Sequence, residues 1–167
     1  MTGHYEAEMV KKLFSRLVIS KRRHFDDNLS HESQHGTVLE IDPNGQWFVA
    51  VANYRVDELK KDGGAPNLIL FRKQGLSVVA RMRLVVKPIV SELFIGDFTS
   101  DIENRGYGSI LLRNVIRLAE LLGCHKITGN LSTGDYDHFD KLSYLYSKYG
   151  FEVNISGKTG SIILRLG

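Results

Sequence analysis

The chain has 167 residues, 43% hydrophobic and 25% charged, which is typical of a globular protein with a sizeable core. A net charge of +3 is too small to indicate a nucleic-acid partner, and no apolar run approaches the roughly 20 residues of a membrane span. The single cysteine, Cys124, excludes an internal disulfide and agrees with a reducing compartment.

The first 25 residues hold six lysines and arginines against two glutamates, so the basic surplus is local to this segment. Its apolar residues recur at helical spacing, which predicts an amphipathic helix packed on the core with its basic face in solvent. Nucleic-acid or membrane docking is not favoured, because aromatic residues interleaved for base stacking are absent. Since the segment has no uninterrupted apolar stretch, we expect no secretory signal and a cytoplasmic protein.

Residues 31–35 read HESQH, the His-Glu-x-x-His order of zinc hydrolases. That chemistry needs both imidazoles on one long, half-buried helix. Ser33 and Gln34 offer no apolar face, and Gly36 would end a helix at once. We therefore expect a solvated loop here and no metal site.

Strand patterns dominate the next sixty residues. Residues 37–54 form two β-rich runs around a Pro-Asn-Gly turn, which predicts a hairpin. Residues 55–67 contain two glycines and a proline and are predicted to form a loop. The runs LILFRK, LSVVARMRLVV and IVSELFIGDF follow, separated by a turn at residues 74–75 and by Pro88, and they predict an antiparallel meander.

Beyond Phe98 the pattern alternates between strand and helix. Apolar residues from Leu111 to Leu122 lie on one helical face, and Gly123 supplies the stop. A strand HKITGNL, a helix over about 137–149 and a hairpin of FEVNI with SIILRLG complete the chain. Strand, helix, strand implies a parallel crossover. The predicted fold class is α+β: a mixed, mostly antiparallel sheet with one parallel pair, flanked by helices.

Gly106 and Gly108 bracket a tyrosine where this long helix begins, and glycine there needs a reason, such as the close approach of a phosphate. A Rossmann fingerprint would require a third glycine at position 111, where Leu111 stands. A Walker A loop is matched only by GKT at residues 157–159, where its first glycine would fall on Glu152. Both of these phosphate loops are excluded.

The order strand, Gly-x-Gly, helix, strand resembles the Gcn5-related N-acetyltransferase (GNAT) family. Residues 103–108, ENRGYG, are similar to its pyrophosphate loop, Gln/Arg-x-x-Gly-x-Gly/Ala, except that Glu103 replaces the first residue. LYSKYGF at residues 145–151 resembles the family's Leu-Tyr-x-x-x-Gly-Phe segment, and residues 91–108 are similar to the histone acetyltransferase branch. The resemblance covers about residues 67–167.

The resemblance implies one GNAT-like domain over residues 1–167, with a divergent part (1–66) and an acyl-CoA-binding part (67–167). The parallel strands would splay around the acyl-CoA. Acetyl-CoA would be the cosubstrate, and no metal is expected. The coenzyme-binding residues that it implies are Phe98 and Thr99 for the pantetheine arm and Asn104, Arg105, Gly106, Tyr107, Gly108 and Ser109 for the pyrophosphate.

Two side chains take catalytic positions in this resemblance. Glu92 falls on the general base of the histone acetyltransferases, with Asp97, on the opposite strand face by alternation, as the reserve. Tyr146 falls on the general acid that protonates the leaving thiolate. A structural role is open for each, as an exposed strand glutamate or a packed aromatic. Cys124 is expected to be a small buried residue rather than a nucleophile.

The function so implied is acetyl transfer from acetyl-CoA to a primary amine by direct attack in a ternary complex. A catalytically silent domain that binds acyl-CoA as a sensor or scaffold is the alternative. We expect a small-molecule or peptide amine as acceptor, neither membrane nor nucleic acid as partner, and leave a homodimer open.

Overall fold

The computed structural model describes residues 36–52, 54–72, 74, 77–100 and 106–167. Its strands are β1 (Gly36–Ile41), β2 (Trp47–Ala52), β3 (Asn67–Arg72), β4 (Val78–Lys87), β5 (Glu92–Ser100), β6 (Lys126–Leu131), β7 (Glu152–Ser156) and β8 (Thr159–Arg165). Its helices are α1 (Val56–Asp62), α2 (Tyr107–Leu122) and α3 (Phe139–Lys148), with 3-10 turns at Pro88–Val90 and Thr133–His138. The helix predicted in the first 25 residues and the HESQH loop lie outside the described residues.

The eight strands form one sheet in the order β1-β2-β3-β4-β5-β6-β8-β7. In this described part of the chain, every neighbouring pair is antiparallel except β5 and β6, which run parallel because α2 crosses over between them. The α+β class, the mixed sheet, both hairpins and the meander of β3, β4 and β5 are thereby confirmed.

The main core lies between α2 and one face of the sheet. The apolar stripe of α2 packs on every second residue of the central strands, including Leu70 of β3 and Met82 of β4. A smaller apolar cluster, centred on stacked Phe48 and Phe71, lies on the other face of β2 and β3. Side chains that alternate with Met82 along β4 therefore face away from α2.

Edge strand β1 is tied to α2 by polar contacts. The Glu40 carboxylate accepts hydrogen bonds from Arg113 and from the buried Asn114 amide. One turn later, Arg117 Nη1 donates to the Leu39 carbonyl at 2.7 Å. These contacts hold the helix that begins at the Gly-x-Gly segment against the edge of the sheet.

Three sequence predictions are corrected. The loop predicted at residues 55–67 contains α1, because the Glu58 carboxylate accepts the Arg55 N–H at 3.2 Å and Leu59 is completely buried. The strand predicted from Ile89 begins at Glu92, since Pro88 starts a 3-10 turn that leaves Ile89 fully exposed. The last helix begins at Phe139, after a second 3-10 turn. Among the described residues, no helix combines the length and apolar composition that a bilayer crossing requires.

Candidate active site

A cleft of about 340 Å³ opens where the two parallel strands separate. The pairing of β5 with β6 ends at Ile95 and Gly129, after which β5 continues beside β4 and β6 beside β8. The walls come from these four strands, from the 3-10 turn over residues 133–138 and from α3. The splayed parallel pair therefore creates a binding-sized cavity at the edge of the core.

A β-bulge shapes the wall that β5 contributes. Met82 pairs with Phe98 and Leu84 with Ile95, so that two residues of β5, Gly96 and Asp97, oppose one residue of β4. A bulge reverses the alternation of side chains, and Phe98 consequently packs on the same core as Ile95. Simple alternation along β5 predicts that Glu92 and Asp97 lie on opposite faces of the sheet. The bulge interrupts this alternation at Gly96 and Asp97, and Asp97 lines the cleft.

The start of α2 lies beside this cleft, where Gly108 approaches Phe98, and none of the described side chains caps it. Gly106 has a φ of +75°, a left-handed backbone conformation that residues other than glycine rarely adopt. A Cβ at this position would meet no described atom within 4 Å. The first intrahelical bond joins the Ile110 N–H to the Gly106 carbonyl at 3.2 Å, so the preceding N–H groups have no helical partner. The N–H groups of Tyr107, Gly108 and Ser109 lie at the positive end of the helix dipole, where an anion is favoured.

Gly108 differs from Gly106 in what surrounds it. A Cβ at this position would lie 3.0 Å from Leu145 Cδ2 and 3.5 Å from the Phe98 ring. The absence of a side chain at Gly108 therefore permits the close packing of α2 on α3 and β5. Asn104 and Arg105, the remaining predicted coenzyme residues, lie outside the described part of the chain.

Tyr146 of α3 forms part of the cleft wall and is only 4% exposed. Its ring contacts Phe151 edge to face, with centroids 5.4 Å apart. Burial, with a smaller contribution from the Asp135 carboxylate, raises the pKa of Tyr146 to about 12. The hydroxyl is therefore protonated at neutral pH.

Glu92 occupies different surroundings at the beginning of β5. Its carboxylate lies 2.8 Å from Lys87 Nζ and 3.0 Å from Lys126 Nζ, and it accepts a hydrogen bond from Thr128 Oγ1 at 2.8 Å. The hydrogen bond from Lys87, with those from Lys126 and Thr128, outweighs burial and lowers the pKa of Glu92 to about 2. Glu92 is not among the residues that line the cleft, and this environment is typical of a structural ion pair.

Four charged side chains of the described residues line the cleft, two arginines and two aspartates. Arg83 Nη1 lies 3.8 Å from Asp97 Oδ2 at the exposed rim. Asp135 accepts hydrogen bonds from the Ser132 backbone and hydroxyl, both at 2.8 Å. Arg81 and Arg83 escaped the sequence analysis, although the alternation of basic and apolar residues along β4 could have revealed them. Cys124 is buried as expected, and burial raises the pKa of its thiol.

No family model matches the chain. The uncharacterized protein YocC of Bacillus subtilis (strain 168) is 33% identical over 69 residues, which is 41% of this chain and 41% of that protein. The solved spermidine N-acetyltransferase of Vibrio cholerae, in complex with CoA and spermine, superposes with a TM-score of 0.51 at 14% identity over 65% of this chain and 70% of its own. A Bacillus subtilis acetyltransferase in complex with CoA gives a TM-score of 0.50 at 15% identity over 80% of this chain and 99% of its own. The chain has the GNAT fold.

This GNAT fold brings together the two motifs on which the resemblance rests. Gly108 of the Gly-x-Gly segment and Leu145 of the Leu-Tyr-x-x-x-Gly-Phe segment are neighbours across the α2–α3 contact. Phe98 and Thr99, predicted to contact the pantetheine arm, line the same cleft as Tyr146. At identities of 12–15% these solved structures establish the fold alone, and they are acetyltransferases in complex with CoA.

Proposed function

We propose that the protein is an acyl-CoA N-acyltransferase that transfers an acetyl group from acetyl-CoA to a primary amine by direct attack in a ternary complex. One observation carries the proposal. The cleft between the splayed strands is lined by the protonated Tyr146, and it lies beside the start of α2, whose free N–H groups suit a phosphate. All eight described strands join one sheet, which supports our further proposal of a single domain over residues 1–167.

The start of α2 is the part of the molecule that we propose to bind the coenzyme pyrophosphate. The free N–H groups of Tyr107, Gly108 and Ser109 would hold the pyrophosphate, and the open, left-handed Gly106 lets it approach the backbone. Phe98 and Thr99 would contact the pantetheine arm between the splayed strands, and the bulge beside them leaves backbone polar groups outside the ladder. Asn104 and Arg105 remain predicted contributors.

Acetyl transfer requires an amine nitrogen to attack the thioester carbon and the carbon–sulfur bond to break. In our proposal, Tyr146 donates its proton to the departing sulfur and is reprotonated from solvent. Unpaired backbone N–H groups at the bulge would stabilise the negative charge on the carbonyl oxygen. The amine must lose a proton before or during attack.

The carboxylate that accepts this amine proton is proposed to be Asp97 rather than Glu92. Asp97 lies on the cleft wall with its side chain 71% exposed, so an amine or a bridging water can reach it. Glu92 is held by two lysines and a threonine, and a carboxylate with a pKa of about 2 is a weak base. The direct attack mechanism therefore does not depend on Glu92.

A catalytically silent acyl-CoA sensor or scaffold is the second candidate. The ion pairs of Glu92 with Lys87 and Lys126 favour the silent domain, because they neutralise the carboxylate that the family resemblance assigns to the general base. The two candidates differ in one observable: an acyltransferase releases free coenzyme A when an amine is present, whereas a sensor binds the coenzyme without turnover.

Isothermal titration with acetyl-CoA tests the shared coenzyme site. Gly106→Val places a branched side chain in the left-handed position beside the proposed phosphate and should weaken binding at least tenfold. Gly157→Val is the matched control, since Gly157 has a φ of +63° and equally open surroundings in the β7–β8 turn. Equal affinities of the wild type and both variants would show that α2 does not bind the phosphate.

A further inference from the structure

Arg81 is a half-buried arginine on the cleft wall whose charge is not matched by any of the described residues. Among the described residues, no carboxylate or carbonyl forms an ion pair or hydrogen bond with its guanidinium. Every other cleft charge has a protein partner: Arg83 and Asp97 pair with each other, and Asp135 caps the 3-10 turn through Ser132. A guanidinium withdrawn partly from water without a partner favours an anionic ligand.

The position of Arg81 separates it from the proposed phosphate site. Arg81 pairs with Thr99 across β4 and β5, so the two side chains share a sheet face. The neighbouring Met82 points into the core that α2 covers, which puts Arg81 on the face away from α2. The unmatched charge thus lies on the side of the cleft opposite the helix start that would take the pyrophosphate.

We infer that Arg81 binds a carboxylate or phosphate of the acceptor, so that the acceptor is a small amine that also carries an anionic group. The guanidinium fork matches both anions in a bidentate manner. The cleft volume of about 340 Å³, shared with the end of the pantetheine arm, restricts the acceptor to a small molecule. This inference rests on the proposed function and specifies its substrate class.

The experiment compares amines that occur with and without an anionic group. The full chain is assayed for coenzyme A release from acetyl-CoA with β-alanine against β-alaninamide, with O-phosphoethanolamine against ethanolamine, and with a lysine peptide. Arg81→Gln removes the charge, and Arg81→Lys keeps it without the fork. Arg165→Gln is the matched control, because Arg165 forms an exposed ion pair with Glu152 outside the cleft.

The wild type should prefer an anionic amine over its neutral partner by about tenfold or more in kcat/KM. Arg81→Gln should lower kcat/KM for that anionic amine by about 10- to 100-fold, chiefly through KM, and leave the neutral amine unchanged. Arg81→Lys should recover part of the preference for the anionic amine. This recovery would show that the loss in Arg81→Gln comes from the missing charge and not from a folding defect. Arg165→Gln should change neither amine.

Four outcomes would overturn the inference. Equal use of charged and neutral amines, or turnover only with the lysine peptide, would reject it while N-acetyltransferase activity stands. A rise in the KM of acetyl-CoA in Arg81→Gln with unchanged acceptor preference would assign the guanidinium to the coenzyme phosphates. No coenzyme A release with any amine would reject the proposed function together with the inference.

Discussion

Replacing Glu92 with glutamine is expected to destabilise the fold without abolishing chemistry. Glutamine has nearly the shape of a protonated glutamate, so the substitution removes the charge that faces Lys87 and Lys126. A pKa lowered from 4.5 to about 2 corresponds to about 3 kcal/mol of stabilisation at pH 7 for this largely buried carboxylate. Glu92→Gln should therefore lower the free energy of unfolding by up to about 3 kcal/mol.

The pH dependence of this loss carries the sharper test. Since the folded-state pKa of Glu92 is lowered, its contribution is fully present above pH 5 and is lost as the pH falls towards 2. Urea unfolding of both proteins should show a difference that shrinks to roughly 1 kcal/mol at pH 3. Equal stability at pH 7 together with a kcat lowered 100-fold or more would refute this reasoning and make Glu92 the general base.

Three further substitutions test other parts of the molecule. Tyr146→Phe should lower kcat by ~10²–10⁴-fold and keep the affinity for acetyl-CoA. If the variant instead turns over at the wild-type rate with the same alkaline limb of the pH profile, Tyr146 is a packing residue. Gly108→Val should cost about 1–3 kcal/mol of stability by crowding Leu145, and unchanged thermal stability with weakened coenzyme binding would show that the missing side chain serves phosphate approach rather than packing. Leu59→Ala should cost about 2–5 kcal/mol in urea unfolding, and a loss below 1 kcal/mol would contradict the packing of α1.

The long elements could be predicted because their apolar patterns are long. The 16 residues of α2 carry a complete buried stripe, and the alternating runs of β3, β4 and β5 leave little choice of partner. The seven-residue α1 has only Val56 and Leu59 as apolar residues and stands beside two glycines, so its local pattern indicates a loop. Tertiary burial of Leu59 makes it a helix.

The candidate site was only partly predictable for a related reason. Tyr146 and the Gly-x-Gly segment are local motifs; Tyr146 lines the cleft, and Gly108 packs against Phe98 of the cleft wall. The partners of Glu92 come from the two neighbouring strands, Lys87 from β4 and Lys126 and Thr128 from β6, so the sequence pattern alone does not show that its charge is already neutralised. The bulge at Gly96 and Asp97 likewise depends on register with β4, which sequence alternation alone does not reveal.

The most direct test of the central claim is the mass of the amine product after incubation with acetyl-CoA labelled with ¹³C in the acetyl group. We predict that the full chain yields an N-acetylated amine carrying the label, in amounts equal to the coenzyme A released, and that Tyr146→Phe yields it at least 100-fold more slowly. Tight binding of acetyl-CoA with no labelled product from small amines or peptides would contradict the account and identify a silent acyl-CoA-binding domain.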